Sequence, residues 1–124
     1  MNKEKSILII DDDSRNIFAL SAILKAKGFN CVAASGMREA YPLLNNNNPI
    51  DIILIDMMMP EMDGYTAVPE LKSTERFKHI PVIAVTAQAM TGDKEKCLAA
   101  GADDYVSKPV DIDHLLNLLN KYMK

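Results

Sequence analysis

The sequence places residue types that handle phosphate and bind cations directly after four short apolar runs. These residues are Asp11, Asp12, Asp56, Thr86 and Lys108. Clustered carboxylates repel one another and favour a hard divalent cation, and Mg²⁺ prefers such oxygen ligands together with waters and a phosphate. An ammonium group can hold phosphoryl oxygens, a hydroxyl can donate to another, and a carboxylate beside them can act as a nucleophile. The combination predicts phosphoryl transfer to an aspartate.

A sheet must bring these residues together, and the hydrophobic pattern predicts one. Five short apolar runs are typical of buried strands: Ser6–Ile10, Cys31–Ala34, Ile52–Ile55, Ile80–Val85 and Tyr105–Ser107. Helical patterns follow them over Ser14–Lys27, Gly36–Leu44, Tyr65–Ser73, Gly92–Ala100 and Asp111–Met123. Strands that alternate with helices form a parallel sheet covered on both faces, and ligands bind beyond the carboxyl ends of its strands. We therefore expect a five-stranded, doubly wound α/β fold with the polar residues at one edge.

Five residues carry local expectations about the helices. Pro69 lies inside the third helix and predicts a kink or a late start, and Pro42 interrupts the second helix. Asp13 and Asp111 are typical N-cap residues. Leu118 lies off the main apolar stripe of the last helix. This leaves two interpretations of Leu118: a partner contact on the surface of helix four, strand five and helix five, or a singly exposed leucine.

Length and composition bound the class of protein. The chain has 124 residues, of which 48% are hydrophobic and 25% charged, and this suits a single domain over residues 1–124. A net charge of −3 gives no reason to expect nucleic-acid binding. No apolar run approaches the roughly 18 residues that a membrane span needs. Cys31 and Cys97 form no CxxC motif, which favours free thiols in the reducing cytoplasm.

Four segments, "ILIIDDD", "ILIDMMMPEMDG", "VIAVTA" and "GADDYVSKP", together resemble the receiver domain of two-component response regulators. The resemblance runs from about Ser6 to Tyr122. The stretch from Ala84 to Pro109 is most similar to receivers that are free-standing or attached to hybrid sensor kinases. The family implies a flavodoxin-like sheet with strand order 2-1-3-4-5. It also implies a cytoplasmic phosphoacceptor switch and not a classical enzyme.

The resemblance implies a role for each acidic residue. Asp56 is the phosphoryl acceptor. Asp11, Asp12 and Asp56 hold Mg²⁺ together with the backbone carbonyl of Met58, and Asp12 is favoured over Asp11 as the direct ligand. Asp13 is interpreted as a helix cap or an indirect neighbour of the metal.

The resemblance also assigns the remaining site residues. Thr86 and Lys108 bind the phosphoryl oxygens, and Tyr105 is an aromatic switch that moves with Thr86. The face of helix four, strand five and helix five then changes and alters the binding of a downstream protein.

The implied phosphoryl donor is a histidine kinase or a histidine phosphotransfer protein. By resemblance, it docks on helix one near Arg15, Asn16 and Phe18 and on the loop after strand five. No direct contact with nucleic acid or with a membrane is expected.

Two positions that tune phosphoryl lifetime in this family hold Met58 and Gln88 here. A methionine side chain cannot orient a hydrolytic water. Slow autodephosphorylation is therefore expected unless Gln88 orients that water.

Two other functions compete with the phosphoacceptor switch. A haloacid-dehalogenase-like phosphatase would use Asp11 as its nucleophile and Asp13 as its partner, but the chain is short for that fold and Asp56 would have no role. A docking scaffold that is never phosphorylated is the third interpretation, and the intact set of site residues argues against it.

Overall fold

The computed structural model describes residues 5–45, 49–57, 64–86 and 93–123, and strands and helices alternate along them. The five strands are β1 (Ser6–Ile10), β2 (Asn30–Ala34), β3 (Ile52–Asp56), β4 (Val82–Thr86) and β5 (Asp104–Ser107). The five helices are α1 (Ser14–Ala26), α2 (Met37–Asn45), α3 (Gly64–Ser73), α4 (Asp93–Ala99) and α5 (Ile112–Tyr122). The predicted α/β alternation is confirmed. Among the described residues, no helix combines the length and apolarity needed to cross a bilayer.

All five strands lie in one parallel sheet with the order β2-β1-β3-β4-β5. This is the predicted doubly wound order, in which the chain first moves to one side of β1 and then returns past it. Every residue of β3 and β4 is buried, which explains why these strands are continuous apolar runs in the sequence. The carboxyl ends of β1, β3, β4 and β5 therefore meet along one edge.

Side-chain alternation along the strands divides the core into two layers. On one face, α1 and α5 cover the sheet through a layer that includes Ile9, Leu24, Leu54, Leu115 and Leu119. On the other face, α2, α3 and α4 cover it through a layer that includes Ala40, Ile53, Val68, Ala84 and Cys97. Full burial of one such Leu or Ile side chain contributes about 1.5–3 kcal/mol relative to exposure. The two layers fix the sheet, and the sheet positions the residues at its edge.

Both predicted aspartate caps are confirmed. The Asp13 carboxylate accepts a hydrogen bond from the backbone N–H of Arg15 at 2.9 Å, and this bond lowers the pKa of Asp13. The Asp111 carboxylate accepts from the first turn of α5. Each cap satisfies helix N–H groups that have no partner within the helix. Asp13 therefore has a structural role that does not apply to Asp11 or Asp12.

Leu118 corrects one expectation. It is 8% exposed and packs with Leu115 and Leu119 under the sheet, so neither the partner contact nor the exposed leucine is right. Leu115, Leu118, Leu119 and Tyr122 also follow an i, i+3, i+4, i+7 pattern. The buried stripe of α5 is centred on these residues because this is the face that meets the sheet.

The prolines and one strand boundary also differ from expectation. α3 begins at Gly64 and continues through Pro69, so the helix has no late start. Likewise, α2 continues through Pro42, and both prolines are exposed. β4 begins at Val82, later than the predicted Ile80, after a proline whose nitrogen carries no hydrogen to donate to a ladder.

Candidate functional site

Three of the predicted site residues share one face of the sheet edge. Asp11, Asp56 and Lys108 lie two residues after Ile9, Leu54 and Val106, respectively. The side chains of these three apolar residues pack under α1 and α5. Since side chains two residues apart along a strand point to the same face, these three groups converge beyond the strand ends. Their convergence thus follows from the hydrophobic alternation of the buried strands.

Asp11, Asp12 and Asp56 form an acidic cluster. Each offers one carboxylate oxygen, and these three oxygens lie within 4.8 Å of one another. Asp11 and Asp56 are 6% and 5% exposed, whereas Asp12 is exposed to solvent. Three carboxylate oxygens with an open side suit Mg²⁺, which is usually held by a few carboxylates and keeps some of its waters. The residues present therefore fit the cation that the sequence predicts.

Lys108 lies between two of these carboxylates. Its Nζ is 3.4 Å from Asp11 Oδ2 and also 3.4 Å from Asp56 Oδ2. Burial acts to lower the pKa of Lys108, but the negative charges of Asp11 and Asp56 outweigh it and raise that pKa above 10.5. The ammonium group therefore stays charged at neutral pH. Ideal charge-assisted bonds are about 2.7–2.9 Å long, so both contacts are loose.

The environment of Asp11 disfavours its charged form. Burial, followed by the nearby charge of Asp56, raises the pKa of Asp11 above 3.8, although the Asp13 N–H and Lys108 act in the opposite direction. The Asp13 N–H donates to Asp11 Oδ1 at 2.9 Å and fixes the carboxylate. A cation placed here relieves the repulsion that the cluster carries.

Thr86 lies at the same edge but on the other face of the sheet, and Tyr105 lies on that other face further back along β5. Thr86 ends β4, is 1% exposed, and its carbonyl accepts a 2.7 Å hydrogen bond from the backbone N–H of Lys108. Tyr105 is half-buried, pairs in register with Ala84, and packs against the core layer below α2, α3 and α4. Since Thr86 follows Ala84 by two residues, alternation places it on the same face as Tyr105. Met58 and Gln88 lie outside the described residues.

The structure contains a cleft that the sequence did not predict. A cleft of about 250 Å³ opens between α1 and the start of α5 and reaches Asp56 and Lys108. Its walls are mainly apolar and include Leu20, Ile23 and Val110. Phe18, on the same helix, is 77% exposed, and Ile23 is 38% exposed. The sequence shows that Phe18 and Ile23 of α1 are apolar, but it does not show that they are exposed.

Comparison with known proteins decides the family. The model of the response regulator receiver domain matches residues 7–120. The chain belongs to the response-regulator receiver family. As a receiver domain, it is a signalling phosphoacceptor domain of a two-component system and not a classical enzyme.

Individual relatives cover almost the whole receiver domain. The polar-differentiation response regulator DivK of Brucella ovis is 34% identical over 119 residues, which cover 96% of each chain. The receiver domain of a sensor histidine kinase of Pseudomonas aeruginosa, solved with a magnesium ion coordinated in its active-site cleft, superposes with a TM-score of 0.86 at 31% identity, covering 98% of each chain. A Francisella response regulator receiver domain gives a TM-score of 0.87 at 32% identity over 97% of each chain.

The fold and family predictions are thus confirmed. The comparisons give no support to a haloacid-dehalogenase-like phosphatase that uses Asp11. The structure also brings together Asp11, Asp12, Asp56 and Lys108, as expected from the strand ends.

Proposed function

We propose that Asp56 is the phosphoryl acceptor of this receiver domain, which we take to span residues 1–124. The observation that carries the proposal is the position of Lys108 Nζ, 3.4 Å from both Asp56 and Asp11. Asp56 ends the central strand, is nearly buried, and faces the cleft beside α1. It therefore combines a fixed carboxylate with an open approach for a donor.

The transfer forms one bond and breaks one. A carboxylate oxygen of Asp56 attacks the phosphorus of a phosphohistidine, the P–N bond breaks, and the imidazole leaves with its electron pair and takes up a proton. Phosphoryl transfer depends mostly on in-line positioning and on neutralising charge. Lys108 supplies a positive charge to the transferred oxygens, and the rigid end of β3 positions the attacking oxygen.

The metal site consists of Asp11, Asp12 and Asp56 with the backbone carbonyl of Met58. When bound, Mg²⁺ neutralises charge on the phosphoryl oxygens and on the clustered carboxylates. The raised pKa of Asp11 reflects burial and the charge of Asp56, which a cation counteracts. The site promotes both phosphorylation and later hydrolysis of the acyl phosphate.

The switch uses Thr86, Lys108 and Tyr105. A phosphoryl group adds about two negative charges at neutral pH, and these draw the Thr86 hydroxyl and the Lys108 ammonium towards Asp56. Thr86 and Tyr105 share one face of the sheet, so the shift of one changes the packing around the other. The surface formed by α4, β5 and α5 then binds a downstream protein differently.

The donor is a histidine kinase or a histidine phosphotransfer protein in the cytoplasm. Its docking surface includes α1 near Arg15, Asn16 and Phe18, with the segment after β5. The 77% exposure of Phe18, a large apolar side chain on α1, supports a protein contact there. Nucleic acid and membranes are not direct partners, in keeping with the net charge of −3.

Asp56→Asn tests the acceptor. With radiolabelled acetyl phosphate and Mg²⁺, the wild-type protein is expected to take up label and the variant to take up none. Asp13→Asn is the matched control, because asparagine caps a helix as well as aspartate and Asp13 only caps α1. Labelling of Asp56→Asn at the wild-type level would overturn the assignment of the acceptor.

Phe18→Ser tests the donor surface. We expect slower transfer from the cognate phosphohistidine protein and unchanged labelling by acetyl phosphate, since a small donor does not need a docking surface. Equal rates of protein-to-protein transfer for the variant and the wild type would remove α1 from the proposal.

A further inference from the structure

We propose that Asn16 determines donor specificity by hydrogen-bonding the imidazole ring that leaves when a phosphohistidine gives up its phosphoryl group. This inference rests on the proposed function, which makes Asp56 the acceptor and a phosphohistidine the donor. It goes beyond a general contact on the docking surface of α1, because it assigns one side chain to the reacting end of the donor. In an in-line transfer, the leaving group lies across the phosphorus from the attacking oxygen. The ring therefore lies outward from Asp56, in the cleft beside α1.

The chemistry of the cleft walls suits such a ring. Asp11, Asp56 and Lys108 line the cleft and are charged, and among its other described lining residues only Asn16 has a polar side chain. The charged groups are assigned to the metal and to the phosphoryl oxygens, which leaves the Asn16 amide for the donor. An imidazole ring has flat apolar faces and polar nitrogens at its edge. It therefore matches a mainly apolar cleft that offers a neutral amide.

Asn16 lies at the end of the cleft-facing side of α1 that is nearest the site. Asn16, Leu20 and Ile23 all line the cleft, and their sequence spacing places them on one face of the helix. An α-helix rises about 1.5 Å per residue, so Asn16 is about 10 Å closer than Ile23 to the start of α1. Since α1 follows the carboxyl end of β1, its start is the end next to Asp11.

The first turn of α1 is tied to the acidic cluster by hydrogen bonds. The Asp13 N–H donates to Asp11 Oδ1 at 2.9 Å, and the Asp13 carboxylate accepts a 2.9 Å bond from the Arg15 N–H. The Asp13 carbonyl accepts a 3.1 Å bond from the Ile17 N–H. Asn16 lies between Arg15 and Ile17, so its backbone is held in place relative to Asp11. The amide therefore extends towards the cleft from a fixed position.

The hydrogen bond acts on the ring nitrogen that loses phosphorus. As the P–N bond breaks, its electron pair returns to this nitrogen, which then takes up a proton from solvent. An amide N–H that donates to the nitrogen stabilises the electron pair during the transfer. A leaving acetate needs such a bond less, because a carboxylate is a weaker base than an imidazole. Asn16 is therefore expected to favour phosphohistidine over a small acyl phosphate.

The test compares two small donors that need no docking surface, N-phosphoimidazole and acetyl phosphate. Rates of labelling at Asp56 are measured in the presence of Mg²⁺. We expect Asn16→Ala to slow labelling by phosphoimidazole by about 10-fold, the effect of one neutral hydrogen bond in the transition state, and to leave labelling by acetyl phosphate nearly unchanged. Asn30→Ala is the matched control, because it makes the same change at an exposed residue that begins β2, away from the cleft. Both of its rates should equal those of the wild type.

The ratio of the two rates separates this role from the alternatives. Damage to the fold would slow both small donors equally, and a role in docking alone would slow neither of them. Either result would overturn the proposal.

A second variant, Asn16→Leu, removes the amide while keeping a side chain of similar size. It should show the same selective loss, and a wild-type rate with phosphoimidazole would contradict the inference. Wild-type protein that neither donor labels at Asp56 would overturn the proposed function together with this inference. Normal labelling of the wild type by both donors, with an unchanged ratio in Asn16→Ala, would overturn the inference alone.

Discussion

A half-buried lysine lies at each end of the sheet's strands, but the two lysines are bound differently. At the carboxyl edge, Lys108 makes two 3.4 Å contacts to carboxylates of a three-aspartate cluster. At the amino edge of β4 and β5, Lys72 of α3 lies 2.7 Å from Asp103 Oδ2 and donates to the Ile80 carbonyl at 2.9 Å. The same Asp103 oxygen accepts a 2.8 Å bond from the Val82 N–H.

The difference indicates that Lys72 belongs to a structural ion pair, whereas Lys108 belongs to a site where the lysine can exchange one anionic partner for another. Lys72 has short bonds to the Ile80 carbonyl and to Asp103, so its contacts stabilise the junction of α3, β4 and β5. Lys108 is shared between two acidic groups and faces more negative charge than it neutralises. Such a lysine can be drawn to a new anion at little cost, which is what a phosphoryl sensor needs. Stability and responsiveness therefore lie at opposite ends of the same strands.

The largest expected effect is at the amino edge. Lys72→Ala leaves Asp103 and the Ile80 carbonyl without their ammonium partner, and it is expected to lower the free energy of unfolding by about 1.5–3 kcal/mol, the range for hydrogen bonds to charged groups. Urea unfolding with and without Mg²⁺ should show the same loss. Lys78→Ala, which removes an exposed pair with Glu75, is the control and should cost about 0.5 kcal/mol or less. A loss from Lys72→Ala that Mg²⁺ reversed would contradict the contrast between the edges.

A smaller and metal-dependent effect is expected for Lys108→Ala. Without Mg²⁺, removing the ammonium leaves the carboxylates uncompensated and should lower the free energy of unfolding by about 1–2 kcal/mol. Mg²⁺ should restore that loss and should bind the variant more tightly than the wild type, because a repelling positive charge is gone. Weaker Mg²⁺ binding by Lys108→Ala in calorimetry would argue that the lysine supports the metal site.

Tyr122 tests the amino edge with a smaller perturbation. Its hydroxyl donates to the Asp103 carbonyl at 2.9 Å and lies 3.2 Å from Asp104 Oδ2. Tyr122→Phe keeps the ring and removes these bonds, so a loss of about 0.5–1.5 kcal/mol in urea unfolding is expected. The loss should be the same with Mg²⁺ present, and a change in Mg²⁺ affinity would show that the two edges are coupled.

The subtlest expectation is a pH dependence at the carboxyl edge. Burial and the charge of Asp56 raise the pKa of Asp11 above 3.8 in the folded protein. Between 3.8 and that raised pKa, the folded state binds the proton more readily than the unfolded state, so the contribution of Asp11 to stability rises as pH falls through this window. Asp11→Asn should remove this contribution when metal-free unfolding is measured across the acidic range. An unchanged pH profile would show that Asp11 does not cause it.

Much of the site could be predicted because the apolar pattern of a buried strand depends only on residues that are close in sequence. Buried strands are read directly from apolar runs, and the residues two positions beyond their last inward-facing side chains must share a face. Asp11, Asp56 and Lys108 therefore converge as the sequence predicts.

Other features depend on contacts between distant segments. Lys72 and Asp103 are 31 residues apart, and no periodicity links them. Leu118 was misplaced because two overlapping apolar stripes run along α5, and only the sheet determines which of them is buried.

The 2.7 Å hydrogen bond from the Lys108 N–H to the Thr86 carbonyl links the backbones of the two residues that are proposed to bind the phosphoryl group. Because this bond couples the two backbones, we expect the Thr86 hydroxyl and the Lys108 ammonium group to move together. A state in which only one of these two residues bound the phosphoryl group would require this hydrogen bond to break.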